Sequence, residues 1–172
     1  TGSPTVSGTL TFATGKITTG ANILIVATSG SVSGAAAGKY VFGNLQKNFN
    51  TGNDQAFTFP IGDASNYTPA ALASINITTA GNLTAKTTGG GEHPNISTSG
   101  LDSSKDVNRY WTLTTGGGIV ASSYDATFSF VAGDVDGGAT TANFVMRRYN
   151  SGWSATTTGT RTATSTQATG LT

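Results

Sequence analysis

The chain has 172 residues, the length of one ordinary domain, and 32 Thr, 17 Ser and 24 Gly make up 73 of them. Nine Lys and Arg stand against eight Asp and Glu; a net charge of +1 offers no basic surplus to displace counterions from phosphate, so nucleic acid is not an expected partner. With no Cys and one His, disulfides, thiolate chemistry and cysteine-held metal centres are excluded.

Thr is β-branched and favours strands, Gly punctuates turns, and apolar residues nowhere keep helical spacing beyond a turn. The first predicted strand is Thr5 to Phe12, with Val6, Leu10 and Phe12 on one face and Thr5, Ser7, Thr9 and Thr11 on the other. Ile23 to Val26 reads as a strand buried on both faces. Ser29 to Gly38 is Gly- and Ala-rich and reads as a loop or tight bend. Lys39 to Phe49 contains a strand carrying Tyr40, Phe42 and Leu45, and Phe57, Phe59 and Ile61 alternate next. Pro60 has no N–H to give and belongs at a strand end or sheet edge.

Leu72 to Ile77 and Leu83 to Lys86 are predicted strands parted by Ala80-Gly81, and residues 87–104 read as the longest loop. In the next strand, Val107 to Thr114, the alternation places Val107, Arg109, Trp111 and Leu113 on one face. Tyr124, Ala126, Phe128 and Phe130 alternate inward after the Gly116-Gly117-Gly118 turn. Residues 154–172 hold one large apolar residue, Leu171, and Thr160 to Ser165 reads as a weak strand.

Short, evenly spaced strands without helices predict an all-β fold, an antiparallel β-sandwich of Ig-like or Greek-key type. Its first 35 residues have an alternative reading as one or two solenoid-like rungs. The apolar-poor tail predicts an incomplete closing strand, and hence an unpaired edge and open groove. Residues 1–12 then read as an N-terminal donor strand and residues 13–172 as the sandwich body. No apolar run exceeds Ile23-Leu24-Ile25-Val26, far short of the ~20 residues of a membrane span.

Four separated stretches, Tyr40-Val41-Phe42-Gly43-Asn44-Leu45-Gln46-Lys47, Phe59-Pro60-Ile61-Gly62-Asp63, Asn108-Arg109-Tyr110-Trp111-Thr112-Leu113 and residues 163–171, resemble β-modules of large secreted surface proteins of Bacteroidota-type bacteria. The resemblance covers most of residues 5–172. It implies a non-catalytic β-sandwich in an extracellular, adhesin-like or structural protein.

Catalytic candidates are sparse. His93, in Gly-Gly-Gly-Glu-His-Pro, is the single imidazole and reads as a solvated loop residue; the eight acids are dispersed, so no enzyme activity is expected. Asp134 and Asp136 in Gly133-Asp134-Val135-Asp136-Gly137-Gly138 have the start of a calcium-loop pattern but lack its later ligands, which favours a plain turn and no cofactor. Tyr67 and Tyr110 fall out of phase with the core and are the candidates for stacking on glycans. Asn95-Ile96-Ser97 is the best placed of four glycosylation triplets. The expected partner is a further copy of the chain, joined head to tail when Val6, Leu10 and Phe12 enter a neighbour's groove. Single adhesin module and carbohydrate-binding module are the alternatives. Composition places the protein outside the cell or on its surface.

Overall fold

The computed structural model describes residues 2–172. It is all-β: fifteen strands and three single 3-10 turns, with no longer helix among the described residues. Strands β1 (Thr5–Val6), β2 (Thr9–Thr11), β3 (Ile17–Val26), β4 (Ser31–Ser33) and β5 (Val41–Phe49) come first. Then follow β6 (Gly52–Phe59), β7 (Ile61–Gly62), β8 (Ala70–Thr79), β9 (Gly81–Gly89), β10 (Arg109–Gly116) and β11 (Val120–Ser129). Strands β12 (Arg147–Tyr149), β13 (Trp153–Ala155), β14 (Thr157–Arg161) and β15 (Ser165–Leu171) complete the chain.

Two main sheets enclose one core. The first runs β1-β3-β5-β9-β10, with β7 also paired to β5; the second runs β14-β15-β11-β8-β6 and is antiparallel throughout. Leu24, Val26, Val41, Leu45 and Ile61 from the first sheet meet Phe59, Leu72, Ile75, Ile77 and Ala126 from the second. Ala80 links β8 of one sheet to β9 of the other, so the turn expected there is a crossing between layers and not a hairpin.

The first 49 residues depart from the antiparallel expectation. β1 lies parallel to β3, β3 to β5, and β2 to β4, with Thr5 opposite Ile25, Thr9 opposite Ser31 and Leu24 opposite Leu45. The chain therefore winds through stacked rungs before entering the sandwich, and the solenoid alternative is the one that matches this segment. Rungs are tied by hydroxyl pairs, Thr9 to Ser31 at 2.9 Å and Thr11 to Ser33 at 3.1 Å. Ser29 to Gly38, read as a loop, contains β4. Lys47, only 7% exposed, closes the turn between β3 and β4: its Nζ donates to the carbonyls of Ala27, Thr28 and Gly30 at 2.7–2.9 Å.

Three expectations are corrected here. Thr5 to Phe12 is not one strand, because the chain bends at Ser7-Gly8 to turn a solenoid corner. Val6, Leu10 and Phe12 pack on the chain's own core, with Phe12 5% exposed. Handing them to a neighbour would break the ladders to β3 and β4, so residues 1–12 belong to the body and do not form a separate donor segment. The tail, finally, is paired: β15 lies between β14 and β11, and Thr166 and Ala168 are buried on its inner face.

Candidate functional site

Strand β10 ends the first sheet, while the second sheet runs on past β11 to β15 and β14. The overhang leaves a cavity of about 670 Å³ between the β10 edge and the inner faces of β11 and β15. Trp111, Leu113, Phe128, Phe130, Phe144 and Leu171 supply its apolar walls. Its size and lining match a small-molecule pocket. Thr166, 5% exposed, lines it with a hydroxyl that has no hydrogen-bond partner.

Four rings form one rim. His93 lies 5.2 Å from Tyr110, 4.8 Å from Tyr149 and 5.0 Å from Trp153, and Tyr149 lies 5.1 Å from Trp153. The β12–β13 hairpin carries the last two rings, and Trp153 Nε1 donates to the Asn95 carbonyl at 2.9 Å. The long loop and the hairpin are thereby locked together through aromatic edges, an arrangement whose outer faces suit the apolar side of a sugar ring. His93, expected as a solvated loop residue, is half-buried at the centre of this rim, and its Nδ1 accepts from the Asn95 amide at 3.2 Å.

Of the surface candidates, Tyr110 stands on this rim and Asn95 is exposed beside it, whereas Tyr67 lies elsewhere, stacked on Tyr40 at 5.6 Å. Burial pushes the Tyr67 phenol above its ordinary pKa. The sequence marks Tyr110 as a stacking candidate but not its meeting with Trp153 and His93, which depends on loop and hairpin placement that no local spacing encodes.

The two aspartates of the 133–138 turn have different fates. Asp134 is committed to Arg109, whose Nε and Nη2 reach its two carboxylate oxygens at 2.8 and 3.0 Å. A third bond runs from Arg109 Nη2 to Asp63 at 2.6 Å, with the guanidinium fully covered. Asp134 is therefore a structural anion engaged by Arg109 and the Val131 amide, and it stands outside the carboxylate cluster that includes Asp136. Asp136 instead joins Glu92 and Asp106, each bringing a carboxylate oxygen within 4.8 Å of the others. Asp136 is held by Asn108 Nδ2 at 2.6 Å and by the Asp106 amide at 3.1 Å.

One Asp106 oxygen is buried without a partner. Burial, reinforced by the negative charges of Glu92, Asp136 and Asp102, pushes its pKa up to about 6. Three such carboxylates can supply hard oxygen ligands to a divalent cation. Glu92 was not singled out by sequence, because it is distant along the chain from the 133–138 turn and is brought in by the long loop.

Comparison of the chain with protein-family models, with curated proteins and with solved structures gives no match.

Proposed function

We propose that the chain is a non-catalytic structural module of an extracellular surface protein, fibre-like or adhesin-like, that assembles lengthwise by β-strand addition. The observation that carries this reading is the stack of parallel rungs whose outermost pair, β1 and β2, has an unpaired edge. Parallel stacks cannot close on themselves and are built to be continued. The Thr- and Ser-rich, weakly charged composition supports a surface exposed outside the cell, as does the resemblance to secreted bacterial β-modules. An Ig-like or Greek-key class for the sandwich belongs to the same reading. Immunogold labelling of intact cells producing the full protein tests it: surface label is expected, and label that appears only after permeabilisation overturns it.

The aromatic rim favours a second reading, a carbohydrate-binding module. Affinity electrophoresis in polysaccharide gels is the check. Retardation that is lost in Tyr110→Ala and Trp153→Ala supports it, and equal mobility with and without polysaccharide removes it.

A further inference from the structure

The second rung shows what a rung must carry to sit beneath another. Ser29 Oγ donates to the Ser7 carbonyl at 3.0 Å, and the Ser31 amide donates to the Gly8 carbonyl at 3.0 Å. Gly30 is buried under the first rung, where a Cβ would lie 2.5 Å from the Val6 carbonyl oxygen. No other residue type fits there, since backbone cannot yield as a flexible side chain does. Val26 is fully buried in the same contact.

The first rung carries a similar run with nothing above it among the described residues, on a corner of two residues, Ser7 and Gly8, where the second rung has four, Ala27 to Gly30. Thr9-Leu10-Thr11 lies in register with Ser31-Val32-Ser33 through the β2–β4 ladder, and Ser7-Gly8 precedes the one as Ser29-Gly30 precedes the other. Gly8 occupies the place of Gly30, yet a Cβ there meets nothing within 4 Å, and its φ lies outside the left-handed range. Neither a close contact nor a left-handed φ requires glycine at Gly8, which stands in the bend between β1 and β2. Ser7, Gly8, Thr9 and Thr11 are exposed, and Val6, the counterpart of Val26, is half-buried. Each unexplained feature is a feature of a lower partner.

We propose that the free edge of Thr5–Thr11 docks a further parallel β-rung of the same serine–glycine repeat, entering from the N-terminal side of Thr5. Gly8 then lies under a carbonyl of that rung, Ser7 donates its hydroxyl upward, and Thr9 and Thr11 extend the hydroxyl ladder. A second copy is not the occupant: its β4 has a free lower edge for β2, but its β5 is already paired with β7 and β9, so no lower face matches β1 and β2 together. The inference rests on the reading of the chain as a lengthwise-built module. Its test reads backbone protection, not location, so a protein found inside cells would leave it standing.

The test extends the full chain with a second copy of residues 3–22 placed ahead of Ser3, and introduces Gly8→Val with and without the extension. In the extended chain, amide exchange at Thr5–Thr11 is expected to slow by about tenfold or more. Gly8→Val is expected to leave the melting temperature of the parent unchanged and to lower that of the extended chain by roughly 4 °C or more. Gly30→Val in the parent is the control and is expected to destabilise. Unaltered exchange at Thr5–Thr11, or a Gly8→Val that is equally silent in both chains, overturns the proposal. Should the extended chain fail to fold, a synthetic peptide of residues 23–34 replaces it: it must slow exchange at Thr5–Thr11 in the parent and not in Gly8→Val, and equal effects overturn the proposal. Dimers of the parent that protect Thr5–Thr11 and are lost in Gly8→Val would make a second copy the occupant and also overturn it.

Discussion

Arg109 lies directly opposite Gly89 in the β9–β10 ladder, and a Cβ on Gly89 would collide with the guanidinium and with the carboxylate of Asp63. The missing side chain is what lets an arginine occupy the inward face of β10, in phase with Trp111 and Leu113. Three segments distant in sequence, the turn after β7, the 132–134 turn and β10, are pinned by that one cation.

Removing the cation leaves Asp134 buried without a counter-charge. Arg109→Met is expected to cost about 3–5 kcal/mol of unfolding free energy, the usual loss when one half of a buried pair is deleted. Gly89→Ala is expected to cost about 1–3 kcal/mol through overpacking. Urea unfolding followed by tryptophan fluorescence measures both; a loss under ~1 kcal/mol for Arg109→Met would show that the ion pairs do not hold these segments.

Stability is expected to peak at mildly acidic pH. Asp106 has a raised folded pKa, so its contribution is full below its ordinary value of 3.8 and is lost as pH rises through about 6. Asp63 is the opposite case. Burial opposes its ionisation, but hydrogen bonds from the Ser65 and Asn66 amides and from Arg109 outweigh burial and hold its pKa below 3.8. Its contribution is present above 3.8 and is lost as pH falls through the depressed folded value. Melting temperatures from about pH 3 to pH 7.5 should therefore pass through a maximum at about pH 4. Asp106→Asn should flatten the high-pH limb, and an unchanged limb in that variant would contradict the assignment.

The unpartnered Thr166 hydroxyl gives a prediction of opposite sign. Thr166→Val keeps the shape and removes a buried polar atom that makes no hydrogen bond. Stability is expected to rise by about 0.5–1 kcal/mol. A decrease of that size in thermal or urea unfolding would mean that the hydroxyl has a partner in solution.

Much of the framework is legible in the sequence where apolar and polar residues alternate. The inward run Tyr124, Ala126, Phe128 and Phe130, and the placement of Pro60 between two strands, follow from local pattern alone. The rungs are harder, because β4 offers a single apolar residue, Val32, and its stability comes from the ladder to β2 and not from a buried face. The signal was present as the repeat of Ser7-Gly8-Thr9-Leu10-Thr11 in Ser29-Gly30-Ser31-Val32-Ser33, which a search for self-similarity would have found before any strand was assigned. Tail strands β14 and β15 are obscured for a related reason: the buried residues of β15 are Thr166 and Ala168, small side chains that a hydrophobic pattern does not mark. The rim of His93, Tyr110, Tyr149 and Trp153 is encoded by how a long loop folds back, and no periodicity announces that.

Strand β5 has parallel neighbours in β3 and β7 and an antiparallel one in β9. Among the described residues the β1-β3-β5 ladder is therefore closed below by β5 and open above at β1, while β2 and β4 pair only with each other. A rung added at the open edge of β1 would stack on the side of β3 away from β5, and the core of the sandwich would stay as it is.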